Sequence, residues 1–188
     1  METFETIRTK LDIRQFAQKH VDDKTKVRIL EAARLTGSSM NTQHWRFIVV
    51  QSPKNLATLA QDSSTGGWVR EADFAVVVCV DPKVPGSAID AGRVVQDMGL
   101  AAWDCGVASG LFTGVKDAEL RQDFGIPQEL KPAVVLGFGY PIKHLKGRKA
   151  RKPLEELVSA ERFGLKFGAD WASVPSSKLS DGAKVERE

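Results

Sequence analysis

The chain has 188 residues, of which 42% are hydrophobic and 27% charged, a composition that excludes a disordered or fibrous protein. Its net charge of +3 is too small to predict nucleic-acid binding, and its two cysteines predict no disulfide framework. No apolar run approaches the length of a membrane span, and residues 1–5 lack the features of a signal peptide. We therefore expect a cytoplasmic protein with neither a nucleic-acid nor a membrane partner.

The first two predicted elements are helices. Apolar residues at helical spacing predict a short helix over residues 2–11. Asp22 or Asp23 then caps a second helix, which ends near Leu35.

A polar stretch, TGSSMNTQHWRF, follows from Thr36 to Phe47. It holds two serines, an asparagine and a glutamine within six residues and no acidic residue. Capping a helix and turning the chain need only one or two such residues. The surplus favours binding to the polar edge of a flat heterocycle, although an ordinary polar loop is the alternative. Residues 46–51 then predict a strand.

The middle of the chain predicts a helix, a loop and a buried strand. Ser52 and Pro53 are typical of a helix start, the serine as the cap. Residues 61–67 predict a loop, and Trp68 after it is either a core residue, which we favour, or a pocket wall. The continuous apolar run over 74–81 predicts a central strand covered on both faces.

The longest predicted helix covers about 88–105, with Ser87 as its cap and Gly106 at its end. Its wide apolar band predicts that it is nearly all buried. A strand with two glycines, residues 106–112, comes next and is weak evidence for function when taken alone.

Two more elements complete the predicted order. Asp117 caps a short helix that Gly125 ends, and residues 133–141 form the last strand. The order α, α, β, α, β, α, β, α, β predicts an α/β layered (α+β) fold with a mixed sheet flanked by helices. We predict one domain over residues 1–163 and a partly flexible C-terminal arm or tail over 164–188, in which Trp171 would hold the arm.

Six basic residues lie close together near the end of the predicted domain: Lys143, Lys146, Arg148, Lys149, Arg151 and Lys152. A run of charges is usually a solvated face. This one lacks the interleaved aromatic residues of a nucleic-acid site, so we interpret Lys143, Lys146 and Arg148 as solvent-facing.

The polar stretch resembles a motif of the FMN-dependent nitroreductase superfamily. Residues 38–47 resemble its "SSxNxQPWxF" segment, with Gly37 and His44 where family members usually have proline. Residues 125–141 resemble "GIPxxxxPxxxLxxGYP", and residues 149–158 resemble "KxRxPLEELV".

Two further segments resemble the same family in part. Residues 10–16 resemble its opening "RRSxRxF" motif, but Leu11 replaces the second arginine and Asp12 replaces the serine. A carboxylate beside a phosphate is repulsive, so Asp12 must pair with a nearby cation or point away; a turn residue is the alternative reading. Gln96 and Asp97 resemble the family's "QNL", with Asp in place of Asn.

The resemblance implies FMN as the cofactor and assigns a role to each matching residue. Lys10, Lys149 and Arg151 would meet the phosphate, and Arg14 would stabilise negative charge near N1 and C2=O of the reduced flavin. Asn41 would bond the ring edge. The complete implied set is Lys10, Asp12, Arg14, Ser38, Ser39, Asn41, Gln43, Gly106, Val107, Ala108, Ser109, Lys149 and Arg151.

The resemblance also implies a homodimer with two FMN sites at the interface, each built from both chains. NADPH or NADH would give a hydride to FMN, and a nitroaromatic, quinone or similar electron-poor acceptor would then take its place in ping-pong fashion. FMN carries this chemistry, so we assign no catalytic side chain, and no residue spacing suggests a metal.

Three other functions stay open at this point. One is a specialised branch of the same fold, a reductive dehalogenase or a flavin-fragmenting enzyme, although the short 61–67 loop leaves little room for a lid. Another is a flavin-binding protein without turnover, which Asp12 and Leu11 keep open. A basic nucleic-acid binder is the remotest. The sequence names neither the physiological acceptor nor the preferred nicotinamide.

Overall fold

The computed structural model describes residues 1–143 and 149–166. The larger of two compact units contains residues 10–143, and the smaller contains residues 1–9 and 149–166. Most of the predicted C-terminal arm, with Trp171, lies outside the described residues, as do Lys146 and Arg148. The boundary of a single domain at residue 163 stays a prediction.

Helices and strands follow one another in the predicted order as far as the last strand, and one short helix that the sequence did not predict comes after it. The helices are α1 (Thr3–Thr9), α2 (Asp23–Leu35), α3 (Pro53–Gln61), α4 (Ser87–Asp104), α5 (Asp117–Phe124) and α6 (Leu154–Leu157). The strands are β1 (Arg46–Val50), β2 (Phe74–Val80), β3 (Ala108–Phe112) and β4 (Lys131–Gly139). Short 3₁₀ turns cover Ser39–Asn41 and Gly67–Glu71.

The four strands form one sheet in the order β1-β2-β4-β3. All seven residues of β2 are buried, which confirms the predicted central strand. The three ladders are all antiparallel, whereas we predicted a mixed sheet. The one parallel pairing described among residues 1–143 and 149–166 is an isolated bridge between Asp12 and Ser109.

Helices cover the sheet on both faces, so the predicted α/β layering is confirmed. Alternate residues of the central strands point to opposite faces, as the two-residue period of a strand requires. Val77 and Val135 pack in the cluster that includes α3 and α5. Phe74 and Phe138 stack with their ring centroids 4.7 Å apart in the cluster that includes α2 and α4.

Trp68 fills a space that paired glycines leave on one face of the sheet. Gly110 of β3 lies opposite Gly137 of β4. A Cβ at Gly137 would lie 2.8 Å from Cζ3 of Trp68, and a Cβ at Gly110 would lie 3.0 Å from its Cη2. The ring also packs edge-on against Phe112. Trp68 is therefore a core residue, as favoured from the sequence.

Two of the four predicted helix caps are confirmed. The Asp22 carboxylate accepts a hydrogen bond from the Thr25 amide at 2.9 Å. The Ser52 hydroxyl accepts one from the Asn55 amide at 3.2 Å, with Pro53 at the first position of the helix.

The other two predicted caps are wrong by one residue. Gly86 precedes α4 in a left-handed conformation (φ 82°), which only glycine adopts easily, so Ser87 is the first helical residue. Lys116 precedes α5, and Asp117 instead pairs with Arg121 one turn later, at 2.5 Å.

Helix α4 is less buried than predicted. Val94, Met98 and Ala102 are fully buried against the sheet, but Ile89 is 72% exposed and Gln96 also faces outward. The prediction that α4 is nearly all buried is thus wrong for the single chain, because only one face of the helix meets α2 and the sheet.

The two cysteines differ in their surroundings. Cys79 lies buried in β2, and burial raises the pKa of its thiol to about 11. Cys105, just after α4, is half-buried. Within the described parts of the chain, none of the helices has the length and apolar character needed to cross a membrane.

Candidate functional site

Residues 36–44, the polar loop, connect α2 to β1 and adopt a strained backbone. Met40, Asn41 and Gln43 all have left-handed φ angles, of 52°, 56° and 47°. This conformation costs a residue with a side chain about 1 kcal/mol, and asparagine tolerates it best. Three such residues within four positions need support from neighbouring structure.

Helix α4 provides that support along the first half of the polar loop. The Thr36 hydroxyl donates to Asp97 of α4 at 2.6 Å. One turn earlier in α4, the guanidinium of Arg93 lies over Gly37, where a Cβ would come within 2.5 Å of Nη2. One turn earlier again, the Ser39 amide donates to the Asp90 carboxylate at 2.8 Å.

Asp90 is 1% exposed and bonds both halves of the polar loop. Its Oδ2 also lies 3.3 Å from Nε2 of the buried His44, and its Oδ1 lies 3.4 Å from Arg93. Burial alone would raise the pKa of Asp90, but hydrogen bonds from Ser39 and His44 outweigh it and lower the pKa. The carboxylate is therefore charged at neutral pH.

The predicted site residues of the polar loop lie at its surface. Ser38 and Ser39 are half-buried, and Asn41 and Gln43 are exposed. The Ser38 hydroxyl accepts a hydrogen bond from the Gln43 amide at 2.9 Å. The Gln43 side chain donates to the Asn41 carbonyl at 3.3 Å. The outer side of the loop thus presents neutral hydrogen-bonding groups, among them the Asn41 amide.

Residues 10–14, the opening segment, lie beside β3. The Ile13 amide donates to the Ser109 carbonyl at 2.9 Å. The structure thereby brings Lys10, Asp12 and Arg14 to the start of β3, where the predicted Ala108 and Ser109 also lie.

Lys10 and Asp12 form an ion pair, so Asp12 has the cationic partner that we expected it to need. The Lys10 side chain is only 13% exposed. It crosses α4 at Gly99, where a Cβ would lie 3.2 Å from Cε of the lysine. A side chain at position 99 would therefore push Lys10 aside.

Arg14 places its guanidinium 5.7 Å from the centre of the Trp68 ring, a cation–π contact. The residue is exposed, and it has no carboxylate partner within the described residues. Its charge is therefore available to an anionic ligand.

The glycine-rich stretch is more enclosed than a ligand-binding surface requires. Val107, Ala108 and Ser109 are buried. The amides of Gly106 and Val107 already donate to carbonyls of Trp103 and Ala102 in α4. Contact of these residues with a flavin stays a prediction.

Lys149 and Arg151 belong to the smaller unit. Lys149 Nζ donates to the Ile7 carbonyl at 2.5 Å, and Arg151 Nη1 donates to the Ala150 carbonyl at 2.8 Å. Both hydrogen bonds lie within the smaller unit. The phosphate role that the sequence assigns to the two residues stays a prediction.

The polar loop and the opening segment lie at different points along α4. Asp90 holds the loop, whereas Lys10 crosses the helix at Gly99. Nine residues of helix separate the two positions, which corresponds to about 14 Å. One chain therefore carries two separate polar regions along α4.

Sequence reasoning missed Asp90 and Arg93, and noted Asp97 only as a departure from a motif. A signal was available, because Asp90 and Asp97 are seven residues apart and so share the face of α4 that also carries Ala91, Val94 and Met98. Acidic residues on an otherwise apolar helix face predict a buried polar partner.

The chemistry of these residues fits FMN. Neutral donors and acceptors on the polar loop match the edge of a flavin ring, and exposed Arg14 matches the negative charge of its reduced form. Gly99 and Gly110 leave room for the opening segment against α4 and β3. The Lys10–Asp12 pair fits less well, because Asp12 cancels a charge that a phosphate would use.

Comparison with known proteins points to the same family that the sequence motifs resemble. The model of the nitroreductase family matches residues 7–84 and 81–140. A "Putative NADH dehydrogenase/NAD(P)H nitroreductase" of Methanothermobacter thermautotrophicus is 31% identical over 153 residues, which cover 77% of this chain and 80% of that protein.

Solved structures share the fold. A "putative nitroreductase in complex with FMN" from Desulfovibrio desulfuricans is 27% identical, with a TM-score of 0.77, over 87% of this chain and 98% of that one. A nitroreductase family protein from Clostridium difficile 630 is 26% identical, with a TM-score of 0.78, over 86% of this chain and 99% of that one.

Proposed function

Because the chain belongs to the nitroreductase family, we propose that it is an FMN-dependent NAD(P)H oxidoreductase that reduces nitroaromatic compounds, quinones or similar electron-poor acceptors. The observation that carries the proposal is the presence of a neutral polar loop and of an exposed arginine, Arg14, that has no carboxylate partner among the described residues. These are the groups that the ring edge and the reduced state of a flavin need. We also place the protein in the cytoplasm, on its composition.

The predicted site residues bind and orient FMN. FMN, when bound, supplies the hydride chemistry, with NADPH or NADH and the acceptor using the site in turn. Asn41 and Gln43 orient the ring edge through hydrogen bonds, and Ser38 and Ser39 meet the ribityl chain or phosphate. The family motifs assign Lys10, Lys149 and Arg151 to the phosphate, and that role is part of the proposal.

Arg14 stabilises negative charge that develops on the ring. Its cation–π contact with Trp68 keeps the guanidinium in place, and no carboxylate of residues 1–143 or 149–166 pairs with it. We expect Arg14→Ala to weaken FMN binding or slow flavin reduction by about tenfold, as the loss of one charged contact implies. Flavin titration and stopped-flow reduction measure the two effects, and Arg70→Ala, an exposed arginine on the Gly67–Glu71 turn, is the control. Unchanged affinity and rate in Arg14→Ala would remove this role.

We further propose a homodimer with FMN between the subunits. The outward face of α4 carries exposed Ile89, Gly92 and Gln96, and an isologous contact through this face pairs two α4 helices about a two-fold axis. If the helices run antiparallel about a point between residues 94 and 95, close to the midpoint of α4, position 90 of one copy lies opposite position 99 of the other. The polar loop of one subunit then meets the opening segment of its partner, which completes a site from two halves.

An absorption spectrum of the purified protein tests the proposal first. We expect a flavin spectrum, or its appearance on reconstitution with FMN. Anaerobic NADPH or NADH should bleach it, and menadione or a nitroaromatic should restore it. Bound flavin that neither donor bleaches would favour a flavin-binding protein without turnover or a specialised branch. A protein that does not bind FMN would overturn the proposal.

A further inference from the structure

Two positions at which this chain departs from its family motif lie against the same pair of residues. Gly37 and His44 stand where family members usually have proline, a residue that stiffens a loop by fixing φ. Gly37 lies under the Arg93 guanidinium, and His44 meets the Asp90 carboxylate. Asp90 and Arg93 are one turn apart on α4 and contact each other at 3.4 Å.

The strained backbone lies between these two contacts. Met40, Asn41 and Gln43 hold left-handed φ angles, and glycine, which would do so freely, is absent from positions 38–44. Hydrogen bonds within the loop include the two backbone bonds of the 3₁₀ turn, Asn41 to Ser38 and Thr42 to Ser39, and the bonds of Gln43 to Ser38 and Asn41, all between residues 38 and 43. The polar loop therefore needs an outside support on both sides of the strain.

Asp90 gives that support through two bonds from one buried carboxylate. It accepts the Ser39 amide at 2.8 Å before the strained residues and lies 3.3 Å from His44 Nε2 after them. The other ring nitrogen of His44 has no hydrogen-bond partner among the described residues. The ring is thus held by Asp90 and by its packing 5.7 Å from the Trp45 ring.

We propose that Asp90, with Arg93, is a positioning residue that fixes the polar loop in its cofactor-binding conformation, in place of two prolines. Asp90 does not itself reach the outer surface of the loop, where Asn41 and Gln43 are exposed. The inference rests on the proposed function only in taking FMN as the ligand of the loop.

Three variants and a control test this role. Asp90→Ala removes both bonds, and Asp90→Asn keeps the volume and one acceptor if the alanine variant does not fold. His44→Phe keeps the aromatic packing on Trp45 and removes only the bond to Asp90. Asp117→Asn is the matched control, since Asp117 is also an aspartate in the first turn of a helix with an arginine partner one turn later.

Amide hydrogen exchange of the FMN-free protein is the first measurement. We expect amides of residues 38–44 to exchange about tenfold faster in Asp90→Ala and less so in His44→Phe, while amides of β2 and β4 keep their protection. The Asp117→Asn control should match the wild type throughout. Unchanged loop exchange in both Asp90 variants would overturn the proposal.

FMN titration by flavin fluorescence is the second measurement. We expect Asp90→Ala to bind FMN about tenfold more weakly. Saturating FMN should restore the protection of the loop amides, because the free energy of binding then offsets the cost of ordering the loop. A loosened loop with unchanged FMN affinity would overturn the positioning role. If the wild type fails to bind FMN, the proposed function is wrong, and exchange of the FMN-free loop still decides whether Asp90 holds it.

Discussion

At the scale of single residues, the pair formed by Lys10 and Asp12 sets the charge that the opening segment offers to a ligand. The sequence predicted that Asp12 would either pair with a nearby cation or point away, because an unpaired carboxylate beside a phosphate is repulsive. The structure supplies Lys10 as that cation. The pair is close to neutral, so a phosphate that approaches Lys10 competes with Asp12.

Replacing Asp12 tests this competition. We expect Asp12→Ser, which restores the residue of the family motif, to tighten FMN binding by about three- to tenfold, because it frees the Lys10 ammonium and removes a repulsive charge. The gain should shrink at high salt, since salt screens a charge that is 59% exposed. Isothermal titration at two ionic strengths measures both effects.

The matched control is Asp23→Ser, an exposed aspartate at the first turn of α2, which should leave FMN affinity unchanged. Affinity that falls in Asp12→Ser would mean that Asp12 holds Lys10 in place for the ligand rather than competing with it.

Residue-scale reasoning succeeded where a pattern had a local cause. Asp22 and Ser52 cap the helices that they precede, as their side chains allow within three residues. Ser87 and Asp117 failed because competing local features, a left-handed glycine and an ion pair, lie beside them. Asp90 was missed because its partners are about fifty positions away in the chain, and helical periodicity alone does not name a distant partner.

At the scale of elements, β3 joins the opening segment to the sheet, and Gly110 makes this contact possible. A Cβ at position 110 would lie 2.5 Å from the Ile13 carbonyl oxygen, a backbone atom that has little freedom to move. The structure shows that Gly110 admits another segment of the chain.

We expect Gly110→Ala to lower the free energy of unfolding by about 2 kcal/mol, as overpacking against fixed atoms does, and to weaken FMN binding by displacing Lys10 to Arg14. Urea denaturation and flavin titration measure the two losses. Gly67→Ala, where nothing lies within 4 Å of the new methyl group, should be close to wild type in both. Equal results for the two variants would contradict this account of β3.

Helix α3 ends on an unfavourable charge. Asp62 follows its last turn, is buried, and has one carboxylate oxygen without a partner in the described chain. Burial, and then the charges of Asp123 and Glu119, raise its pKa, while Lys116 opposes them. A carboxylate at the C-terminus of a helix also meets the negative end of the dipole.

We expect Asp62→Asn to stabilise the protein by about 1 kcal/mol at pH 7. Because folding raises the pKa of Asp62, the folded chain holds this proton more tightly than the unfolded chain. The cost is therefore absent below the unfolded pKa of about 3.9, grows as the pH rises towards the folded pKa, and is full above it. Urea denaturation from pH 4 to pH 7 should show that the extra stability of Asp62→Asn over the wild type grows with pH. Extra stability that stays constant or falls with pH would contradict an unfavourable buried charge at Asp62.

At the scale of the whole molecule, α4 has one face in the core and one face outward, and the proposed dimer uses the outward face. Within one chain, the polar loop and the opening segment lie about nine helical residues apart. The motifs predicted a set of site residues, and that set stays a prediction. They did not predict that the polar loop and the opening segment lie against different parts of α4, because the spacing of motifs along a chain does not encode contacts between distant segments.

Ile89→Glu tests the dimer. A charge at this exposed position, 72% accessible in the single chain, should leave the fold intact and shift the protein towards a monomer, because an unpaired charge buried in an apolar interface is costly. We expect FMN binding to fall with the dimer. Sedimentation velocity and flavin titration over a range of protein concentrations measure the two together, with Val27→Glu, an exposed apolar position on α2, as the control.

A dimer that persists in Ile89→Glu, or a monomer that keeps full FMN affinity, would contradict a site shared between subunits. The second outcome would mean that the two polar regions along α4 bind different molecules.

The two cysteines allow local and global opening of the sheet to be measured without an added probe. The Cys79 thiol sits in the central strand, where burial withholds both access and ionisation, and only a thiolate is alkylated. We expect half-buried Cys105 to be alkylated while the sheet stays intact. When the protein is mixed with a thiol-alkylating reagent, the rate of the first alkylation therefore reports how accessible Cys105 is near the end of α4. The second, slower alkylation, at Cys79, occurs only in molecules in which β2 has separated from its neighbours. The singly and doubly labelled masses in one mass spectrum therefore report the rates of these two events.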